Sequence, residues 1–497
     1  KIFMLFLITN SLFDTPANCP QDQFLGTWEI QLSSQTFEPK NDQVQCPKQF
    51  GVKNTKLITL VERGVALASD GDVRSGTWTA MSNQGFEIKL GGQVFFFFSD
   101  YIIVFNKTES LCNKAAGWAH AEELKSQKFS CAKAVLKTPK VSDIQPLKTG
   151  YNDPTGHNLW VSQQLPANFS WRNVNGKSYL PKVFDQSHCG SCFAVASTQA
   201  MMARVMVASK LQDKLGRTET LSVQHIVDCS QYSQGCKGGF GEEVSRFSED
   251  FGILTSSNYG PYLSKVGNCS ETLKKFNKDN ERYHFTGQRY IGGYFGAETS
   301  AEAMQWELFR YGAFPVSVLI DPKRNYGQEE DYRGDFRSCK RTSNFTGMFP
   351  IVPKFPPLNS KQIEAGDGRR YYLKKTNHLV LLTGWGADNE GEYWEIMNSW
   401  GEGFCDQGFI KIRRGTNEYN VESSPIVFYW AGQVTKSQPN NITMDAAAFI
   451  SIIAACALIS AFSVASLICV LKRKNSQKAK GYQYEEYTGI LSKTDAE

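Results

Sequence analysis

Hydrophobic and polar positions alternate with a period of two through the first part of the chain. GTWEIQL (26–32), TKLITLVERGVALAS (55–69) and GFEIKLGGQVFFFFSDYIIVF (85–105) are strand-rich and separated by Asn/Gly turns. They predict an all-β unit over 14–135, and a small closed barrel would leave such strands no open edge. Residues 136–163 are polar, contain Pro139, Pro146 and Pro154, and read as a linker. The pattern then changes. FAVASTQAMMARVMVAS (193–209) is apolar and free of Gly and Pro, which predicts a buried helix with Cys192 in its first turn. His378 opens an apolar strand, and Asn398 ends the next one. Residues 324–374 are basic and Pro-rich, with Arg333, Arg337, Arg341, Arg369 and Arg370, and read as a surface loop.

Both ends carry apolar runs. Lys1–Phe13 is short, basic and then apolar, and reads as a signal peptide that could be truncated at its start. Residues 446–471 hold no charge. At ~1.5 Å per residue such a helix exceeds the ~30 Å hydrocarbon thickness of a bilayer. Lys472-Arg473-Lys474 follow it directly, so the positive-inside rule puts the 472–497 tail in the cytosol and the rest in a lumen or outside. A polar tail after the run argues against a removed lipid-anchor signal, which ends in its apolar stretch. In that tail Tyr487-Thr488-Gly489-Ile490 has the Tyr-x-x-apolar form that clathrin adaptors read.

Composition narrows the picture. A length of 497 residues predicts two or three domains. The net charge of +5, from 54 basic and 49 acidic residues, names no partner, and no motif supports nucleic-acid binding. Two of the 13 cysteines, Cys456 and Cys469, lie in the apolar run; the other 11 suit five bridges and one free thiol. Sequons begin at Asn106, Asn168, Asn268, Asn344 and Asn441. Together with the cysteines they indicate a secretory, oxidising compartment.

The candidate chemistry centres on Asp185-Gln186-Ser187-His188-Cys189-Gly190-Ser191-Cys192. A CxxC alone reads as redox or zinc-binding. The helix that follows argues otherwise, because a thiol at a helix start feels the positive end of the dipole and is eased toward thiolate. A thiolate needs a base or cation beside it, and of six histidines His378 is suitably placed. Asn398 is a candidate to orient the imidazole. The alternative is an inert core thiol and a satisfied strand histidine.

CGSC followed by an aromatic, then NHLVLLTGWG (377–386), then NSWG (398–401), resembles the papain-like cysteine peptidases. The strand-rich segment resembles the exclusion domain of the dipeptidyl peptidase I (cathepsin C) family, on DTPANC (14–19), LGTW (25–28), NQGFEI (83–88) and GWAH (117–120). CSQYSQGCKGGF (229–240) is similar to the same family, and Leu165–Val174 resembles the start of a mature peptidase domain. The resemblance implies an α+β fold: a two-lobed papain-like catalytic domain (a helical lobe and a β-barrel lobe, 164–435), preceded by the all-β barrel exclusion domain (14–135) and a propeptide. The transmembrane helix expected at 446–471 would follow. It implies Cys192 as nucleophile paired as thiolate with imidazolium His378, Asn398 as orienter, and an oxyanion hole from the Gln186 amide and the Cys192 backbone N–H. Trp400 would shield the imidazole and, with Gly238 and Gly239, border the substrate cleft. It implies bridges Cys19–Cys112, Cys46–Cys131, Cys189–Cys236 and Cys229–Cys269, leaving Cys339 and Cys405 to pair with each other. The Asp14 carboxylate would bind the substrate's free amine.

The chain departs from the family pattern at Phe193, Ser187 and Phe404, none of which removes a catalytic atom. The resemblance also implies chloride, but the Tyr expected to hold it is absent. Gly241 and Glu242 follow Phe240 instead, and a carboxylate facing that site would repel an anion. Glu242 is expected to point to solvent, or alternatively to favour basic substrate side chains. No cofactor and no metal are required. The function expected is a membrane-anchored dipeptidyl aminopeptidase of a lysosomal, endolysosomal or secretory-vesicle membrane, with the catalytic domain lumenal. Its partners would be peptides or proteins with free N-termini and, as the family is commonly tetrameric, further copies of itself. The alternatives are a cathepsin-like endopeptidase and a catalytically silent, membrane-tethered binding protein.

Overall fold

The structure, a computed structural model, describes residues 16–61, 64–68, 75–105, 107–122, 128–139, 165–276, 281–291, 299–320, 376–389 and 391–436. Outside them lie the expected signal peptide, Asp14, Cys339, the sequons at Asn106, Asn344 and Asn441, most of the 136–163 linker, the 324–374 loop, and everything beyond Lys436, including the apolar run and Tyr487–Ile490. Among the described residues no helix is long and apolar enough to cross a membrane.

The first eight strands are β1 (Gly26–Phe37), β2 (Val52–Val61), β3 (Val65–Ala68), β4 (Ser75–Met81), β5 (Gly85–Leu90), β6 (Gln93–Val104), β7 (Lys107–Ala121) and β8 (Phe129–Pro139). Each pairs antiparallel with the next, and β8 returns to β1, closing the barrel. The barrel outruns its expected end at 135, because Leu136 and Thr138 still pair with Trp28 and Thr27. Alternation sends Trp28, Ile30, Phe86, Ile88, Phe95 and Phe97 into the barrel interior. The intervening Phe96 and Phe98 point the other way and join the core of the following domain, with Trp118 and Phe129. The FFFF run is therefore a strand buried on both faces. Two disulfides bind barrel segments, Cys19–Cys112 and Cys46–Cys131.

The second part is two-lobed. Its helices are α1 (Cys192–Ala208), α2 (Val223–Cys229), α3 (Gly241–Phe251), α4 (Ser256–Tyr259), α5 (Cys269–Phe276) and α6 (Ala301–Tyr311). A sheet ordered β12 (Phe314–Val318), β13 (His378–Asp388), β14 (Gly391–Met397), β15 (Phe409–Arg413) forms the other lobe, with β9 (Phe169–Ser170) also pairing on β13. A smaller sheet joins β10 (Ile253–Leu254), β11 (Glu281–Tyr290) and β16 (Ile426–Lys436). Helix α1 is buried almost all round, as its unbroken apolar sequence predicts. Its one cation, Arg204, is 2% exposed, pairs with Glu307 at 2.9 Å, and donates to the carbonyls of Ala313 and Phe428. Cys189–Cys236 ties the loop before α1 to the loop before α3, and Cys229–Cys269 ties α2 to α5. Cys405 is also disulfide-bonded.

The barrel meets the helical lobe through buried ions as well as aromatics. Phe96 and Trp118 lie 5.0 and 5.4 Å from the Tyr232 ring. Arg246 of α3, fully buried, pairs with Glu87 of β5 at 2.9 Å and with Glu249 and Asp250 of its own helix. His120 of β7 lies 3.2 Å from Asp250, and the Tyr232 hydroxyl donates to that carboxylate too. Asp42, after β1, takes Arg282 at 2.9 Å and His225 at 2.8 Å. His225 Nδ1 accepts from the Leu254 N–H, so Nε2 carries the proton toward Asp42. Burial holds His225 below its ordinary range, so Arg282 is the charge partner and His225 a neutral donor.

Candidate active site

Cys192 is the first residue of α1, and it is the free cysteine among the described residues. It is held there by the loop before it. Gln186 N–H donates to the Ser399 carbonyl at 2.9 Å, Gly401 N–H to the Phe184 carbonyl at 3.1 Å, and Gly190 N–H to the Cys236 carbonyl at 3.0 Å. A Cβ on Gly190 would sit 2.6 Å from that carbonyl oxygen, so only glycine fits between Cys189 and Ser191. Ser187 has φ +51°, in the left-handed region, where the glycine usual in the resembled family costs nothing; here its N–H is taken by Asp185 at 2.8 Å.

His378 begins β13, paired with Val318 of β12. Asn377 fixes the entry to that strand by clasping the Ile320 backbone, accepting its N–H at 2.8 Å and donating to its carbonyl at 2.6 Å. His378 Nε2 lies 2.8 Å from Asn398 Oδ1. The Ser399 N–H also donates to Asn398 Oδ1, which assigns that atom as the oxygen. Nε2 must then be the protonated nitrogen, and Nδ1 is left as an acceptor in the neutral ring. Trp400 stacks on the imidazole with ring centroids 5.2 Å apart, and Phe404 closes edge-on behind it at 4.8 Å.

The Leu379 N–H, one residue past His378, faces the Cys192 sulfur and favours its thiolate, which sets the thiol beside the start of β13. Burial pushes the thiol up, against the N–H groups of Leu379, Phe193 and Cys192 itself. Burial also pulls His378 down to about 4, against its bond to Asn398. Burial thus disfavours both charges, so the expected thiolate and imidazolium would be held together here by their attraction for each other. That attraction is of order 4 kcal/mol for charges ~4 Å apart at an effective dielectric near 20.

Gln186 is 1% exposed. Its Nε2 donates to the Cys189 carbonyl at 2.9 Å, leaving the second amide proton, and its Oε1 takes the Ser399 hydroxyl. The Tyr262 hydroxyl joins the Gln186 carbonyl at 2.8 Å to Ser191 Oγ at 2.7 Å. Ser399 and Tyr262 are thus positioning side chains that motif reading missed. Ser399 sits inside NSWG, but nothing in the sequence around Tyr262 marks it. Gly238 adopts φ +129°, and a Cβ on Gly239 would lie 2.8 Å from the Phe193 ring. Gly238 therefore answers to its backbone conformation, and Gly239 to packing against Ser233 and the residue after Cys192. Glu242 does not point to solvent as expected. It is 5% exposed, accepts from the Ser82 hydroxyl of the barrel, and is met by the Tyr290 hydroxyl. Asn168 and Asn268 are exposed.

The structure thus brings together Cys192, His378, Asn398, Gln186 and Trp400, drawn from both lobes. Such a set can deliver a sulfur nucleophile, move its proton through one ring and offer N–H donors to an oxyanion. Among the described residues Asp42, His225 and Cys229 cluster at metal-ligand spacing, but Cys229 is spent in a disulfide and Asp42 on Arg282.

Comparison with known proteins agrees with this arrangement. Residues 165–334 and 365–429 match the model of the papain family cysteine protease, and residues 14–135 match that of the cathepsin C exclusion domain. A cathepsin C of Schistosoma mansoni is 27% identical over 482 residues, covering 84% of this chain and 95% of its own. Cathepsin S of Bos taurus is 30% identical over 261 residues, 52% of this chain and 63% of its own. Dipeptidyl aminopeptidase 1 of Plasmodium falciparum is 26% identical over 315 residues, 53% of this chain and 44% of its own. The chain is a papain-family cysteine protease that carries a cathepsin C exclusion domain ahead of its peptidase domain.

Proposed function

We propose that the protein is a dipeptidyl aminopeptidase that removes residue pairs from free N-termini. One observation carries the reading: barrel and peptidase belong to one compact unit, with the barrel bonded to α3 only three residues past Gly239, beside the catalytic helix. A barrel in that position limits how far a substrate extends past the cleft on its amino side. Cys192 Sγ attacks the carbonyl carbon, its proton passes to His378 Nδ1, and the carbonyl electrons move onto oxygen. Gln186 Nε2–H and the Cys192 N–H stabilise that oxyanion. The C–N bond breaks as His378 protonates the leaving amine. Water, losing its proton to His378, then attacks the thioester, and the thiol leaves reprotonated. Asn398 holds Nε2–H throughout, Trp400 shields that bond, and Gly238 and Gly239 border the cleft.

Asp14 supplies the fixed anion for the substrate's ammonium, and no cofactor or chloride is needed. The 446–471 run anchors the protein, with the tail cytosolic, Tyr487–Ile490 engaging clathrin adaptors, and the peptidase in a lysosomal or related lumen. Asn106, Asn168, Asn268, Asn344 and Asn441 carry glycans, and Cys339 pairs with Cys405. The homologues' names support dipeptidyl specificity, and the apolar run and basic flank support the anchor. Assay of a dipeptidyl amide against a blocked longer peptide tests the reading. Turnover of the first and not the second is expected, and preferential cleavage of the blocked peptide would mean an endopeptidase.

A further inference from the structure

The seam between barrel and peptidase holds a buried acid that no described cation pairs with. Glu242 lies in the first turn of α3 and is 5% exposed. Its side chain accepts from Ser82, in the turn between β4 and β5, and is met by the Tyr290 hydroxyl at the end of β11. The acids around it are engaged elsewhere. Glu243 accepts the Phe240 N–H at 2.9 Å, and Glu87 takes Arg246 at 2.9 Å. Among the described residues no cation forms an ion pair with Glu242. Burial holds its carboxyl up at about 7. It is therefore protonated in mildly acidic conditions and ionised above neutrality, where an unpaired buried charge is costly.

The turn that Glu242 grips has a second task. Ser82 and Asn83 both adopt left-handed φ, +46° and +61°. The Asn83 carbonyl takes the Cys19 N–H at 2.6 Å, and the Asn83 amide reaches Asn18 Oδ1 at 3.3 Å. The same Asn18 donates its N–H to Ser110 Oγ at 2.8 Å. One contact chain thus runs from the start of α3, next to the cleft, through Ser82 and Asn83 to the amino-terminal segment at Asn18 and Cys19. In the sequence that segment is preceded, within five residues, by Asp14.

We infer that Glu242 is a positioning residue: through Ser82 and the Asn83 turn it registers the amino-terminal segment against the peptidase domain, and so sets the enzyme's demand for a free amine. This rests on the dipeptidyl reading proposed above. It assigns the substituted position a use, since an acid here grips the barrel rather than an ion or a substrate side chain. It also makes the grip pH-sensitive, firm when Glu242 is neutral and loosened when it ionises.

The test compares full-length parent, Glu242→Gln and Glu242→Ala on a dipeptidyl amide with a free or an acetylated amine, between pH 5 and 8. The parent's preference for the free amine tests the underlying reading first. Glu242→Gln, a permanent mimic of the neutral acid, should keep that preference and no longer lose it above neutrality. Glu242→Ala should lower it by about tenfold through KM for the free-amine substrate, with kcat unmoved. Hydrogen exchange at residues 17–19 and 82–84, corrected for intrinsic rates, gives a readout independent of specificity. Protection there should fall through neutrality in the parent and stay level in Glu242→Gln. Unchanged preference in Glu242→Ala, or protection with the same pH profile in parent and Glu242→Gln, would overturn the inference even where the parent discriminates. A parent blind to acetylation would sink the dipeptidyl reading instead, and the exchange profiles would still decide whether Glu242 registers the segment.

Discussion

Two interfaces in this protein are built from opposite materials. Between the catalytic lobes, Cys192 and His378 meet in a setting that disfavours both charges, and the groups that hold them, Asn398, Gln186, Ser399 and Asn377, are neutral amides and a hydroxyl. Between barrel and helical lobe the buried groups are ions. Arg246 is matched by Glu87, Glu249 and Asp250, Arg282 by Asp42, and Asp250 also by His120. The first arrangement keeps a proton mobile, because neither partner is committed to a charge. The second fixes a register, because buried ions tolerate only the geometry that pairs them. Glu242 is the exception among the described acids of the second interface: no described cation pairs with it, and burial raises its carboxyl to about 7.

The largest effect expected on this contrast comes from the lobe interface. Cys192→Ala should cut kcat/KM by roughly 10⁴-fold or more. Its thermal midpoint should stay near the parent's, since a small apolar residue suits a helix start. Peptidase activity at the parent's level in a folded Cys192→Ala protein would remove the sulfur from the mechanism.

Arg246→Ala strikes the seam and should do the reverse. It removes the shared cation of Glu87, Glu249 and Asp250, which keep only Lys89 at 3.7 Å and His120 at 3.2 Å, a loss of about 3–5 kcal/mol. Denaturant unfolding should show that loss, or an early transition in which the barrel separates. A shift of a few tenths of a kcal/mol would mean that the seam is not held by its ions. Asp14→Ala should lower kcat/KM on free-amine dipeptide substrates by roughly thirty-fold, as expected for truncating one member of a charge pair. Acetylated substrates should be unaffected.

The smallest effects are in pH dependence, and the two interfaces should separate there too. With His378 at about 4, the acid limb of kcat/KM should fall near that pH. The limb reports addition of a proton to the pair, and it moves below about 4 to the extent that the pair rests as thiolate and imidazolium. Asn398→Ala removes the bond that favours imidazolium and should move the limb lower. At the seam, a carboxyl raised to about 7 holds its proton more tightly folded than unfolded. Its contribution to stability is full below its ordinary pKa and is lost as pH rises toward about 7. His120, raised by Asp250, acts in the same direction, losing its contribution as pH rises through its folded pKa. His225, held neutral by burial, opposes them and loses its contribution as pH falls below its ordinary pKa. Stability followed from pH 5 to 8 should decline less in Glu242→Gln than in the parent.

The same contrast explains what could be read from the chain alone. The lobe interface was legible because its residues sit in short motifs whose neighbours are forced: glycine at 190 by the Cys236 carbonyl, Asn398 by the imidazole, Cys192 by the helix start. The barrel was legible from alternation. Its outward face was not, since FFFF satisfies a strand buried on one side or on both, and only the contact with Tyr232 decides. Glu242 was misjudged for the same reason. A glutamate in the first turn of a helix is usually solvated, and its burial depends on a serine 160 positions away in the sequence. Long-range pairs of unlike residue types leave no local pattern, so Arg246 with Glu87 and Asp42 with Arg282 were equally invisible.

In the proposed reading the barrel makes this cysteine peptidase count from a free amine. Timed mass spectrometry of an unblocked peptide of about ten residues tests it most directly. The peptide should lose two residues at a time from its amino end, as a ladder, with the cleaved pairs accumulating in step. Internal fragments appearing first, with the amino end intact, would contradict it.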